Sequence, residues 1–204
     1  MKNKLFYHVY LTENPIVWTN IVMEQLDAIK DSKLAHELDF IHVNAIHKAG
    51  DITSVSMLDT ILRIYFPRYP LKFSLGLHKN PYFSDREMLH GLNSDKTLSE
   101  RLTLKTIYDA CQTEDFNVLY LHTKGITAHL KFLDSPKFYM NQYRIVQKWR
   151  HYLNWGVIEN WKVQTRMVEE YFDVASVNFQ TEPNPHYSGN FWWAKSSYIR
   201  NLSD

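Results

Sequence analysis

Two hydrophobic periods alternate along this chain. Residues 5–11 (L-F-Y-H-V-Y-L) are aromatic and β-branched and predict a first strand. Asn14 then stands as an N-cap before Pro15, which suits the first helical position. Val17, Ile21, Val22, Leu26 and Ile29 recur at helical spacing, so an amphipathic helix is expected to about residue 31. A second strand is expected over 40–46, with Ile41, Val43 and Ala45 on one face. A polar loop around Gly50 leads to a helix over 54–65, bounded by Pro67 and Pro70, and then to a third strand over 71–77.

Residues 78–95, with Pro81, Gly91 and no clear period, read as a long loop, and loops of that length commonly carry function. Thr97-Leu98-Ser99-Glu100 has the form of a capping box opening a helix with Leu104, Ile107, Tyr108 and Cys111 as its buried stripe. The apolar run 116–121 predicts a buried strand. Ser135-Pro136 opens a helix with Tyr139, Tyr143, Val146, Trp149 and Leu153 on one face, broken at Gly156. Ile158, Trp161, Thr165, Val168 and Phe172 mark another helix. Strands over 173–179 and 186–194 follow, then a short helix over 196–202. Strands alternating with helices indicate an α/β fold, a mainly parallel central sheet flanked by helices, as a single domain over 1–204.

Composition narrows the function classes. A net charge of +1 provides no overall attraction to nucleic acid or an anionic membrane surface, so any anion site must be local. The single cysteine, Cys111, excludes an intramolecular disulfide and fits a reducing, cytoplasmic setting. No apolar stretch approaches the length of a transmembrane segment, and no signal peptide is evident. Aromatic residues reach 15%, with 13 Tyr and 6 Trp, and such rings pack cores and also stack on sugars and bases.

Two stretches carry candidate chemistry. The strand over 116–121 runs into His122-Thr123-Lys124-Gly125, where an imidazole and an ammonium two positions apart share one side and a glycine permits close backbone approach. That combination suits an anionic ligand such as a diphosphate. In open α/β sheets ligands sit beyond the carboxyl ends of the strands, which adds the segment 76–80 and Tyr10, Leu11 and Thr12, the last three as a lip for a base or ribose, with Tyr10 equally a structural residue and Thr12 read first as a turn residue. The second stretch is His186-Tyr187-Ser188-Gly189-Asn190-Phe191-Trp192-Trp193-Ala194. A glycine within a strand marks a bulge or a close approach, and Ser188 and Asn190 flank it with hydrogen-bonding groups.

These residues resemble a family of small GT-A-like glycosyltransferases found in bacterial polysaccharide clusters and large algal viruses. The resemblance rests on residues 6–10 (F-Y-H-V-Y), Glu24-Gln25-Leu26, residues 118–125 (V-L-Y-L-H-T-K-G), Trp149-Arg150, residues 186–194 and Tyr198-Ile199, which extend over nearly the whole chain. It implies transfer of a sugar from a nucleotide diphosphate donor, a UDP-sugar as first choice, to a glycan or other hydroxyl acceptor. Such enzymes usually hold a divalent metal on an Asp-x-Asp triplet after the strand matching 118–121. Here that triplet is His122-Thr123-Lys124, and the sequence has no Asp-x-Asp.

The expectation is therefore that Lys124, with His122 and the loop amides around Gly125, meets the diphosphate charge directly. No cofactor is then required, with Mn²⁺ or Mg²⁺ and His122 as a ligand the other option. His186, Ser188, Gly189, Asn190 and one of Trp192 or Trp193 would contact the sugar or acceptor, and Arg150 is a further candidate for the acceptor or the diphosphate. Asp134, Asp173, Glu182 and Asp204 are conceivable general bases, and the family pattern often continues past the last residue here, as in a domain of a longer protein. A non-catalytic nucleotide-sugar or carbohydrate-binding module would use the same aromatics and lysine. Nucleotidyltransferase, nuclease and kinase readings lack their carboxylate clusters or phosphate loop.

Overall fold

The computed structural model describes residues 1–47, 52–67, 73–79 and 97–202. The loop around Gly50, the expected long loop from residue 80 on, and Asp204 lie outside the described residues. Strand β1 (Asn3–Leu11) is followed by helix α1 (Pro15–Asp31), whose N-cap Asn14 accepts from the Ile16 amide. Strand β2 (Phe40–His47), helix α2 (Ile52–Tyr65), strand β3 (Phe73–Lys79) and helix α3 (Thr97–Cys111) come next. Strand β4 (Asn117–His122) leads into helix α4 (Ile126–Asp134), then α5 (Pro136–Asn154). Gly156 does not end that helical course: a π-helical turn, Trp155–Glu159, carries it into α6 (Trp161–Glu170). Short strands β5 (Val174–Ala175), β6 (Phe179–Gln180), β7 (His186–Tyr187) and β8 (Trp192–Lys195) precede helix α7 (Ser196–Arg200).

The main sheet has the order β3-β2-β1-β4-β8-β5. Strands β1 to β4 pair in parallel, and β8 runs antiparallel to both β4 and β5, so β8 alone is reversed. Strand β4 is buried on both faces, which is why Val118 to Leu121 reads as an unbroken apolar run. On one face Leu5, Tyr7, Val9, Leu119 and Leu121 pack against α1 and the α5–α6 side. On the other, Phe6, Val118 and Tyr120 pack against Ile107, Cys111 and Ile199 of α3 and α7.

Four expectations need correction, the first being the strand over 173–179, which is reduced to β5 and β6 in two different sheets. The strand expected over 186–194 is split: β7 pairs only with β6 in a separate ribbon, and residues 188–190 turn the chain before β8. The stripe of α3 is rotated, with Thr103 buried and Leu104 exposed, because His8 on the facing strand shares a 2.9 Å hydrogen bond with the Thr103 hydroxyl. Phe172 lies past the end of α6 and is exposed.

The chain runs outward from β1 through β2 to β3, then crosses back to β4 on the other side of β1. Connections therefore leave β1 and β4 in opposite directions, and their carboxyl ends open a crevice of the kind in which α/β proteins bind ligands.

Candidate functional site

A cleft of about 530 Å³ lies at that switch point, within the size range of small-molecule sites. Its lining includes His8 and Tyr10 from β1, Glu100 from α3, and residues 122–128 at the junction of β4 and α4. Gln142, Val146 and Trp149 of α5 close one side. A second concavity of about 490 Å³ between α1 and α2 is lined mostly by apolar groups such as Met23, Ile61 and Ile64, far from any strand's carboxyl end.

The loop between β4 and α4 is held from several directions. Its backbone turns tightly, with the Lys124 amide donating to the His122 carbonyl at 2.8 Å. The Thr123 amide donates to the His8 carbonyl at 3.1 Å, and the Thr123 hydroxyl accepts from the Tyr10 amide at 3.0 Å, so Thr123 locks the loop to β1. Gln25 donates to the His122 carbonyl at 3.1 Å and accepts from the Tyr7 hydroxyl at 2.6 Å. Arg150 donates to the Lys124 carbonyl at 3.1 Å, and its Nε and Nη2 grip Glu24 at 2.9 and 2.6 Å. Asn154 adds a bond to the same Glu24 carboxylate. The pair Glu24-Gln25 on α1 and Arg150 and Asn154 on α5 thus form one polar clamp.

Arg150 is only 4% exposed. It does not face a ligand, contrary to expectation, because its guanidinium is consumed by Glu24 and the loop carbonyl. Gly125 has φ +97°, and a Cβ there would meet Val146 at 2.8 Å and Arg150 at 3.0 Å. A side chain is therefore excluded both by the backbone conformation and by the clamp.

Gly125 is also the N-cap of α4 and brings no side-chain acceptor to it, and no acidic residue lies in the first turn. Ile126, Thr127 and Ala128 of that first turn line the cleft, and first-turn amides have no acceptor within their own helix, which favours an anion there. Lys124 sits at this helix end. Its ammonium lies 4.8 Å from the centroid of the Trp149 ring, and the Trp149 Nε1 has no hydrogen-bond partner among the described residues. Burial pushes the Lys124 pKa down, and the Glu100 carboxylate offsets part of that. Trp149, on the apolar face of α5, is half-buried: it packs against the core cluster and also forms a wall of the cleft.

His122 is the partner of His8 in the β1–β4 register. Its Nε2 lies 3.2 Å from the Gly189 carbonyl, which can only accept, so Nε2 carries the proton. Burial, then Lys124, depress its pKa to about 4, so the ring is neutral near pH 7. Nδ1 consequently presents a lone pair, 3.5 Å from Oε1 of Glu100. The cationic role expected of His122 is corrected accordingly: positive charge at the loop comes from Lys124 and the α4 amides.

Gly189 and Asn190, expected to contact sugar or acceptor, do not line the cleft but bond two residues that do, His122 and Glu100. Gly189 has φ +104° and Leu153 would collide with a Cβ, which brings its carbonyl onto His122. Asn190 donates to Oε2 of Glu100 at 3.0 Å and accepts from Trp192 Nε1 at 3.1 Å. Glu100, read from sequence as a capping-box residue, is thus held in the cleft by Asn190. The only sequence signal for this was its place in the first turn of a helix after a long loop.

The other expected contacts fall away. Trp193 is fully buried and donates to the Val157 carbonyl at 2.9 Å. Leu11 is core, and Thr12 is buried with its hydroxyl on the Asn14 carbonyl. His186 is exposed in the ribbon and bonded to the Asn184 carbonyl, and Ser188 bonds Asn178 through its amide; neither lines the cleft. Trp192, half-buried, packs 5.2 Å from Tyr120. The acidic candidates Asp134, Asp173 and Glu182 do not line the cleft.

A family model described as a domain of unknown function, DUF8361, matches residues 75–204, more than half of the sequence, and the chain belongs to that family. The match includes Glu100, the loop 122–125, α5 and the turn 188–190, while β1 and α1 precede it. No curated protein matches the chain.

Proposed function

We propose that this DUF8361 member is a glycosyltransferase of GT-A-like fold, moving a sugar from a nucleotide diphosphate donor to a glycan or other hydroxyl acceptor. A UDP-sugar is the first-choice donor. The observation that carries this reading is Lys124 beside the uncapped first turn of α4, at the switch point of an α/β sheet. When the bond between the anomeric carbon and the diphosphate breaks, its electron pair remains on the diphosphate oxygen. Lys124 and the first-turn amides of α4 would meet that growing charge in a partly dry cleft. Tyr10 would border the base or ribose.

Glu100 supplies what sequence reasoning lacked. It is the carboxylate among the cleft's described lining residues, and its orientation is held by Asn190. In the transfer, the acceptor oxygen bonds to the anomeric carbon and its proton passes to Glu100, whose carboxylate is the general base. Neutral His122 aims an acceptor lone pair at the same space and would accept from a second hydroxyl of the acceptor sugar.

Enzymes of the resembled type place a divalent metal at this loop, and the described residues there do not supply its carboxylate pair. Lys124 stands at the loop in place of a carboxylate, and among the described residues no group of three metal-ligating side chains converges. No step is routed through a metal.

Calorimetric titration with UDP and a panel of nucleotide sugars tests the proposal. Binding of a nucleotide sugar, followed by release of its sugar to water or an acceptor, is the expected result. Failure of every nucleotide sugar to bind would overturn it.

A further inference from the structure

The solvent side of α5 carries a row of large apolar residues. Phe138, Ile145 and Tyr152 recur at heptad spacing and continue to Trp155, with exposures of 81%, 64%, 45% and 51%. The Tyr152 and Trp155 rings stack at 5.9 Å. Single exposed apolar side chains are ordinary, but an aligned row is a contact surface. Lys137, Arg144, Lys148 and His151 run along one flank of the row, all exposed. No Asp or Glu occurs anywhere in α5, and Asp134 and Glu159 stand outside its ends. His151 reaches Glu24 at 3.2 Å, whereas Lys137, Arg144 and Lys148 have no ion-pair partner among the described residues. On α6, by contrast, the exposed Val163 and Met167 are mixed with paired charges such as Arg166 and Glu170.

We infer that this face of α5 docks on an anionic lipid bilayer surface. The apolar row would enter the headgroup boundary, with Tyr152 and Trp155 at the level that such rings favour, while the basic flank meets acidic headgroups. Charge selects this occupant over a second copy of the chain. Two α5 faces brought together would oppose basic rows with no acidic residue on either helix to pair them, whereas an anionic bilayer complements both the charge and the apolar row. The net charge of +1 provides no general attraction, so the effect resides in this helix. Gln142 and Trp149, one turn from Phe138 and Ile145 on the same helix, line the cleft with Val146 beside the row, so docking would hold the mouth of the cleft at the membrane surface. The inference is independent of the proposed chemistry.

Co-sedimentation of the full chain with phosphatidylcholine vesicles, with and without phosphatidylserine, tests it. Binding is expected only with phosphatidylserine and should weaken as salt rises. The pair Arg144→Glu and Lys148→Glu, and separately the pair Phe138→Ser and Ile145→Ser, should each lower vesicle affinity about tenfold or more, with unchanged thermal melting. Absence of wild-type binding to the acidic vesicles, or undiminished binding by both pairs, would overturn the inference. So would sedimentation showing a wild-type dimer that Phe138→Ser and Ile145→Ser dissolve, since the row would then serve a second copy.

Discussion

Lys124 is the residue on which the proposed chemistry turns. Its ammonium is steered over Trp149, and among the described residues its side chain makes no hydrogen bond. Lys124→Ala should therefore reduce turnover by about a hundredfold or more, in the range seen when one charge-stabilising donor is removed. The thermal midpoint should stay near wild type, and near-normal turnover would make the loop structural. His122 makes the opposite kind of prediction. Burial lowers its folded pKa to about 4 from 6.5, so between those values the unfolded chain binds more protons than the folded one. Stability is then complete above about pH 6.5 and falls as pH drops through that window. The His122 contribution to the loss by pH 4.5 is roughly 2–3 kcal/mol. His122→Asn should flatten the acid limb of a denaturant-unfolding series by that amount, and an unchanged limb would mean the ring is not buried as a neutral group.

At the scale of elements, α1 and α5 act together on a loop that belongs to neither. Glu24 and Gln25 on α1, and Arg150 and Asn154 on α5, are tied to one another and to the His122 and Lys124 carbonyls of the β4–α4 loop. Removing one partner of a buried ion pair leaves the other uncompensated. Arg150→Ala should cost roughly 3 kcal/mol in unfolding free energy, and it should also weaken UDP binding because the Lys124 carbonyl loses its anchor. Arg150 acts through the loop, so Arg150→Lys should recover part of the stability and less of the UDP affinity, since a lysine cannot grip Glu24 with two donors. Equal recovery of both would argue that the clamp serves packing alone. The helix α4 has its own dependence on Gly125: Gly125→Ala would press on Val146 and Arg150 and strain the positive φ. That variant should lose about 1–3 kcal/mol, read as a lower thermal midpoint.

For the molecule as a whole, the sheet order decides where ligands can go. The crossover from β3 back to β4 opens the crevice, and it brings β1, α3, α4 and α5 to one place, with the turn 188–190 bonded to His122 and Glu100 behind its lining. A chelator test belongs at this scale, because it asks what the assembled cleft needs. Sugar transfer should survive excess EDTA, with Lys124 carrying the charge. Activity lost to EDTA and restored by Mn²⁺ would sink the metal-independent mechanism and leave His122 Nδ1 and Glu100 to be tested as ligands.

Periodicity alone determined the elements that form from local spacing. The amphipathic row from Val17 to Ile29, capped by Asn14 and started by Pro15, predicts α1 to its last residue, and the doubly buried β4 is visible as an unbroken apolar run. It also marked the loop 122–125, because a glycine after polar residues at the end of a buried strand has few local explanations. The direction of β8, the split of the stretch 186–194 and the burial of Arg150 and Trp193 were decided only by tertiary structure. Each depends on a partner far away in sequence: β4 and β5 for β8, Glu24 for Arg150, and the Val157 carbonyl for Trp193. Glu100 shows the same limit most clearly. Its local pattern fits a helix cap, and only the packing of Asn190 against α3 turns its carboxylate toward the cleft. Spacing along a chain reports which face a residue shares with its near neighbours; what that face meets is settled by long-range packing.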